Sequence, residues 1–115
     1  MITGAHAVIY SRDAEALRAF FGDVLGFAGV DAGGGWLIFA LPPAEVAAHP
    51  DERGGRHQLY LMCDDIAATV TELEVKGVEF SGPVEDVGWG LLTAMKVPGG
   101  DELGLYEPRH PSPLR

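Results

Sequence analysis

The chain has little cysteine and few basic residues. Cys63 is the single cysteine of 115 residues, which excludes an intramolecular disulfide and is typical of proteins in a reducing cytoplasm. Eight Lys and Arg residues against 17 Asp and Glu residues give a net charge of −9. The basic residues are scattered, whereas phosphate recognition needs a basic surface, so we expect no nucleic-acid partner. The same charge argues against adsorption to anionic lipid.

Long hydrophobic runs are also missing. No apolar stretch approaches the roughly 20 residues that a membrane-spanning helix needs. The first residues lack the basic and apolar regions of a signal peptide. We therefore expect a cytoplasmic protein without a membrane partner. An apolar content of 47% with 22% charged residues predicts a packed globule, and the length suits a single domain over 1–115.

The first half of the chain alternates between strand and helix signals. A short apolar segment precedes Asp13, which can cap a helix whose apolar residues recur at helical spacing until Gly26 ends it. Gly33-Gly34-Gly35 opens a strand rather than a helix, so this glycine run predicts a hairpin turn and not a phosphate loop. The predicted elements are a strand at 4–10, a helix at 13–25 and strands at 27–33, 36–41 and 44–49.

The same order of signals then restarts. Asp64-Asp65 supplies a helix cap and Gly77 a helix stop, and Gly88-Trp89 repeats the earlier Gly35-Trp36 pair. The predicted elements are a strand at 57–63, a helix from 66 to Gly77 and strands at 78–80, 89–97 and 103–107. We therefore predict an α+β fold of two βαβββ units, at about 4–50 and 56–108, followed by a polar tail at 109–115. An unrelated α+β sandwich whose halves are alike by chance is the alternative.

The predicted strands have two different faces, because side chains alternate along a strand. One face is aliphatic, as in Leu103 and Leu105, and suits packing under a helix. Cys63 belongs to this set and is interpreted as a buried apolar residue. The other face is mixed and suits either a ligand cavity or a dimer interface. Its candidate ligand-binding residues are His6, Tyr10, Gln58, Tyr60, Met62, Gly104 and Tyr106.

Several motifs carry a family resemblance. They are His6 seven residues before Asp13, the helix end Asp23-Val24-Leu25-Gly26-Phe27, the cap Asp64-Asp65-Ile66 and the closing run from Pro98 to Tyr106. With these motifs, residues 4–108 resemble the vicinal oxygen chelate superfamily, which includes glyoxalases, bleomycin resistance proteins and dioxygenases. The resemblance implies a cupped mixed sheet with the helices on its outer face, and a homodimer. In catalytic members it also implies a divalent metal in the cup.

The metal ligands implied by the resemblance fall on His6, Gln58 and Gly104. Glycine has no donor side chain, whereas a divalent site needs several converging donors. A one-residue slip that turned His57 inwards, together with Glu102, is the alternative ligand set with His6. We therefore expect no cofactor, the alternative being a divalent metal such as Fe, Mn, Zn or Ni.

Three functions remain open from the sequence. The first is a metal-independent binder of a small organic molecule in a cup lined by Tyr and His. The second is a metal-dependent lyase, isomerase or extradiol-type dioxygenase, for which His6 is the best catalytic candidate. The third is a scaffold or regulatory dimer that binds no ligand. His49 and Glu107 are interpreted as surface or capping residues, and His110 as a solvated residue of the tail.

Overall fold

The computed structural model describes residues 6–45, 47–50 and 52–114. The first half contains an α-helix, α1 (Ala14–Ala19), which continues as a π-helical turn over Phe20–Val24. A hairpin of β1 (Gly29–Asp31) and β2 (Leu37–Phe39) follows. The second half contains β3 (Tyr60–Met62), α2 (Ile66–Val75), β4 (Glu85–Asp86), β5 (Gly90–Lys96) and β6 (Glu102–Pro108).

The helices begin where the sequence predicts. The Asp13 carboxylate accepts a hydrogen bond from the Ala16 amide at 3.1 Å, and Asp65 does the same for Ala68 at 3.1 Å. Each contact satisfies one of the amides that a helix N-terminus leaves without a partner. Gly77 ends α2 with φ 90°, a conformation that glycine adopts without steric cost.

The second half forms one four-stranded mixed sheet in the order β3-β6-β5-β4. Strand β3 runs parallel to β6, with Tyr60 opposite Gly104 and Met62 opposite Tyr106. Strands β5 and β6 form a seven-pair antiparallel hairpin, from Gly90 opposite Pro108 to Lys96 opposite Glu102. With α2, these strands make a complete βαβββ unit, and the α+β fold class is confirmed.

The first unit is only partly formed in the single chain. Its strands β1 and β2 make a separate two-stranded sheet, joined at Gly33–Gly35 by the predicted turn. The strands expected at 4–10 and 44–49 are not formed by the residues of those segments that the structure describes, which exclude Gly4, Ala5 and Val46. Extended chain becomes a strand only beside a partner strand, and the described residues of these segments pair with none.

The core lies between the helices and one face of the larger sheet. The buried apolar residues are Leu17, Phe20, Ile66, Leu73, Val78, Met95, Val97, Leu103 and Leu105. The prediction that Leu103 and Leu105 pack under a helix is thus confirmed. Of the described helices, none is long and apolar enough to cross a membrane.

Candidate functional site

The face of the larger sheet opposite the helices carries the candidate site. Paired residues of neighbouring strands share a face, so the register brings Tyr60, Met62, Gly104 and Tyr106 together. Leu92 and Ala94 of β5 pair with Tyr106 and Gly104 and extend the same face. This face is referred to below as the open face.

Three aromatic rings cluster on the open face. The centroids of Trp89 and Tyr106 are 5.2 Å apart, and Tyr60 lies 5.8 Å from Tyr106 and 6.2 Å from Trp89. The interplanar angles of 75° to 86° are the edge-to-face arrangement that aromatic pairs prefer. Trp89 keeps 39% of its surface exposed, whereas Tyr106 keeps 7%. The cluster therefore offers an exposed indole above a buried phenol.

Trp89 was not identified from the sequence as a candidate site residue. The repeat of Gly35-Trp36 in Gly88-Trp89 identified it only as a marker of the second unit. Its place directly before Gly90, which begins the strand next to β6, was the available signal. An aromatic residue at this position lies next to the C-terminal end of β6, where its ring contacts Tyr106.

Glu45 connects the first half of the chain to this cluster. The Tyr106 hydroxyl donates to Glu45 Oε1 at 2.9 Å, and Ser112 Oγ donates to Glu45 Oε2 at 2.8 Å. Burial raises the pKa of Tyr106 to about 12, and the hydrogen bond and negative charge of Glu45 act in the same direction. Tyr106 is thus held neutral and fixed in position, which suits a binding wall rather than a proton donor near pH 7.

His110 is not the solvated residue that the sequence predicts. Its ring stacks on Tyr106 with centroids 6.1 Å apart at 29°, and its Nε2 lies 3.6 Å from Glu45 Oε1. The sequence could not indicate this because Glu45 is 65 positions away in the chain, and the contact arises only when the two halves pack together.

The Gly104 position is filled from the neighbouring strand. The Tyr60 ring covers it so closely that an added Cβ would lie 2.7 Å from Tyr60 Cε1 and 3.2 Å from Cγ. A carboxylate cannot project from here while the ring stays in place. Within residues 6–45, 47–50 and 52–114, no group of three or more His, Cys, Asp or Glu side chains is arranged to hold a metal ion. The donor set present does not fit the divalent metal that the resemblance implies.

The remaining predicted residues are spread over the surface. His6, His57, Gln58 and Glu102 are all exposed, and Tyr10 keeps 88% of its surface in solvent. Gln58 does reach the open face, because its side-chain oxygen accepts a hydrogen bond from the Tyr60 hydroxyl at 3.1 Å. The structure thus brings Gln58, Tyr60, Met62, Gly104 and Tyr106 together. His6 and Tyr10 are not among the ring contacts found for the described residues.

A shallow cavity of about 220 Å³ lies at one end of the open face. Met62, Cys63, Asp64, Pro108, Ser112 and Leu114 line it. Cys63 packs against the core, and burial raises the pKa of its thiol, which favours the unreactive form. The volume is below the roughly 300 Å³ at which most ligand pockets begin.

Solved structures with the same architecture cover nearly the whole chain. TnmS3, an antibiotic binding protein from Streptomyces sp. CB03234, is 26% identical with a TM-score of 0.62, over 94% of this chain and 99% of its own. A superfamily member from Sphaerobacter thermophilus DSM 20745 is also 26% identical with a TM-score of 0.62, over 92% and 98%. A lactoylglutathione lyase from Agrobacterium tumefaciens shares the fold at 18% identity, with a TM-score of 0.64 over 91% and 92%.

No curated protein sequence matches the chain. A family profile does, over residues 4–108, which spans the range predicted from the sequence for the two units. With the capped helices, the βαβββ sheet and the structural neighbours, this match identifies the chain as a member of the Glyoxalase/Bleomycin resistance protein/Dioxygenase superfamily.

Proposed function

We propose that this chain is a metal-independent binding protein that holds a small organic molecule against the open face. The packing of Tyr60 on Gly104 carries the proposal, since an aromatic ring lies where a metal-binding member would project a carboxylate. The Tyr60 ring therefore occupies the space that a carboxylate ligand would need, and it offers an aromatic surface suited to flat or apolar groups. The described residues offer no other converging set of donors.

The open face has the chemistry of a binding wall. Trp89 offers an exposed π surface. Met62, opposite Tyr106 in the sheet, is 36% exposed and is a flexible apolar side chain that adapts to irregular ligands. The Gln58 amide and the hydroxyl of Tyr60 supply polar contacts at the same edge. The antibiotic binding protein TnmS3, at 26% identity over 94% of this chain, supports a similar role here.

A second copy of the chain is proposed to complete the cup. Val8, Val30, Trp36 and Ile38 of the first unit are large apolar residues that keep 44% to 70% of their surface exposed. Exposed apolar surface of this kind is typical of an interaction site. A homodimer would cover it. Sedimentation equilibrium should give twice the 12.2 kDa chain mass at micromolar concentration, and a monomer would rule out a shared cup.

Metal-free bleomycin and proflavine, a planar aromatic cation, are suitable probes, because an acidic protein attracts cations. Isothermal titration calorimetry should give the same affinity for proflavine in EDTA and with added Zn²⁺ or Mn²⁺, and metal-free bleomycin, itself a chelator, is titrated in EDTA. Trp89→Ala should weaken binding about tenfold through lost stacking, whereas Val75→Ala, at an exposed position of α2, should not. Tightly bound metal at one ion per chain, a loss of binding in EDTA, or no binding of either probe would contradict the proposal.

The lone Cys63 supports a reducing compartment, so we place this function in the cytoplasm. Fractionation of the source cells with an antibody to the protein tests that placement, and recovery outside the cytoplasmic fraction would exclude it.

A further inference from the structure

Residues 109–114, referred to here as the strap, fold back over the open face. The His110 ring stacks on Tyr106, and Ser112 Oγ donates to Glu45 Oε2 at 2.8 Å. Glu45 itself is only 16% exposed on its side chain and also accepts from the Tyr106 hydroxyl. The strap and Tyr106 thus share one carboxylate.

The strap covers one part of an otherwise accessible aromatic surface. Tyr106 belongs to the same cluster as Trp89, yet it is 7% exposed where Trp89 is 39% exposed. Ser112 and Leu114 also form one wall of the cavity next to Met62. Opening the strap would therefore lift the His110 ring off Tyr106 and open that wall at the same time.

The strap is held mainly by side chains. The Arg109 amide donates to the Trp89 carbonyl at 2.9 Å, where the β5–β6 hairpin ends. Beyond Arg109, the hydrogen bonds found between the strap and other described elements are side-chain contacts of His110 and Ser112 with Tyr106 and Glu45. A segment held by a few such contacts opens locally without unfolding the sheet beneath it.

We propose that the strap is a lid latched on Glu45, which covers Tyr106 when closed and exposes a continuous Tyr60–Trp89–Tyr106 surface to the ligand when open. The latch, meaning the contacts of Ser112 and His110 with Glu45, is present in the chain without a ligand. The effect of the lid on ligand binding rests on the proposed function. Ligand affinity would then depend on the contacts that hold the strap closed, although the ligand does not take part in them. The reason is that a closed chain must open before it binds.

Nitration of tyrosines by tetranitromethane, read by peptide mass spectrometry, tests the latch without a ligand. Tyr10, which is 88% exposed, is the internal reference, and Tyr106 should react far more slowly in the unmodified chain. Ser112→Ala removes one latch contact and leaves the bond between Glu45 and Tyr106 in place. It should speed nitration of Tyr106 about fivefold, the equilibrium change expected for one lost hydrogen bond, with Tyr10 unchanged.

The matched control is Ser81→Ala, which removes a hydroxyl bonded to the Ala94 carbonyl outside the strap. It should leave the Tyr106 rate alone. Equal Tyr106 rates in Ser112→Ala and the unmodified chain would overturn the latch.

Proflavine titration then separates the lid from the proposed function. Tighter binding in Ser112→Ala, by a similar fivefold factor, supports the lid. Unchanged affinity in a variant whose Tyr106 has become reactive overturns the lid's role at the ligand. If proflavine and metal-free bleomycin bind neither protein while Tyr106 reactivity still rises, the proposed function fails and the latch stands.

Discussion

The contact between Tyr60 and Gly104 predicts that a single methyl group at position 104 destabilises the protein. A Cβ there would lie 2.7 Å from Tyr60 Cε1, well inside van der Waals contact. The ring cannot easily move away, because it packs edge-on against both Trp89 and Tyr106 and its hydroxyl bonds Gln58. Gly104→Ala should therefore force the sheet or the aromatic cluster to shift.

The size of the effect follows from two opposing contributions. Overpacking of this kind costs about 1–3 kcal/mol, and replacing glycine by alanine within a strand returns roughly 0.5–1 kcal/mol. The net loss should be about 1–2 kcal/mol in the free energy of unfolding. For a chain of this length, that corresponds to a fall in melting temperature of roughly 3–10 °C.

The decisive measurement repeats the substitution without the ring. In a Tyr60→Ala background the overlap disappears, so Gly104→Ala should stabilise the protein by about 0.5–1 kcal/mol. Urea unfolding followed by circular dichroism gives both differences. Gly82→Ala is the control, since nothing lies within 4 Å of the added carbon and its φ is not positive. A loss of equal size in both backgrounds would refute the reasoning.

Two further predictions concern Tyr106 and helix α2. Because the folded-state pKa of Tyr106 is raised from 10.0 to about 12, its contribution to stability should be complete below pH 10 and lost as the pH rises to 12. Glu45→Gln should lower that pKa in an ultraviolet absorbance titration, and an unchanged curve would exclude Glu45 as a cause. Asp65→Ala removes the α2 cap and should cost about 1 kcal/mol in urea unfolding. Glu107→Gln should cost less, because the amide oxygen still accepts the 3.0 Å bond from the Ile66 amide; equal losses would contradict this view of the cap.

Helix caps and the alternation of side chains along strands were sufficient to predict much of the fold from the sequence. Asp13 and Asp65 cap their helices because a short carboxylate before an apolar run satisfies amides a few residues away. The alternation of Leu103 and Leu105 with Gly104 and Tyr106 gave the two faces of β6. Both signals act over a few residues, so a sequence carries them completely.

The rest of the site depends on contacts that no local pattern encodes. Glu45 lies in a segment expected to be a strand, yet its role comes from Tyr106 and Ser112, more than 60 positions away. Positions 6–10 have the composition of a strand, yet they join neither sheet in the part of the chain that the structure describes, so composition alone did not predict their pairing. The sequence was enough to show that Gly104 lacks a metal-binding side chain. It did not show that the Tyr60 ring fills the space above Gly104.

The hairpin of β5 and β6 also has a consequence for how the chain folds. Its seven paired positions are joined by the short turn around Pro98 to Asp101, so it closes a small loop and forms early at low entropic cost. The parallel pairing of β3 with β6 spans more than 40 residues and must wait for α2 to bridge them. Hydrogen exchange during refolding should therefore protect β5 amides before those of β3, as expected if the end of the second unit forms first.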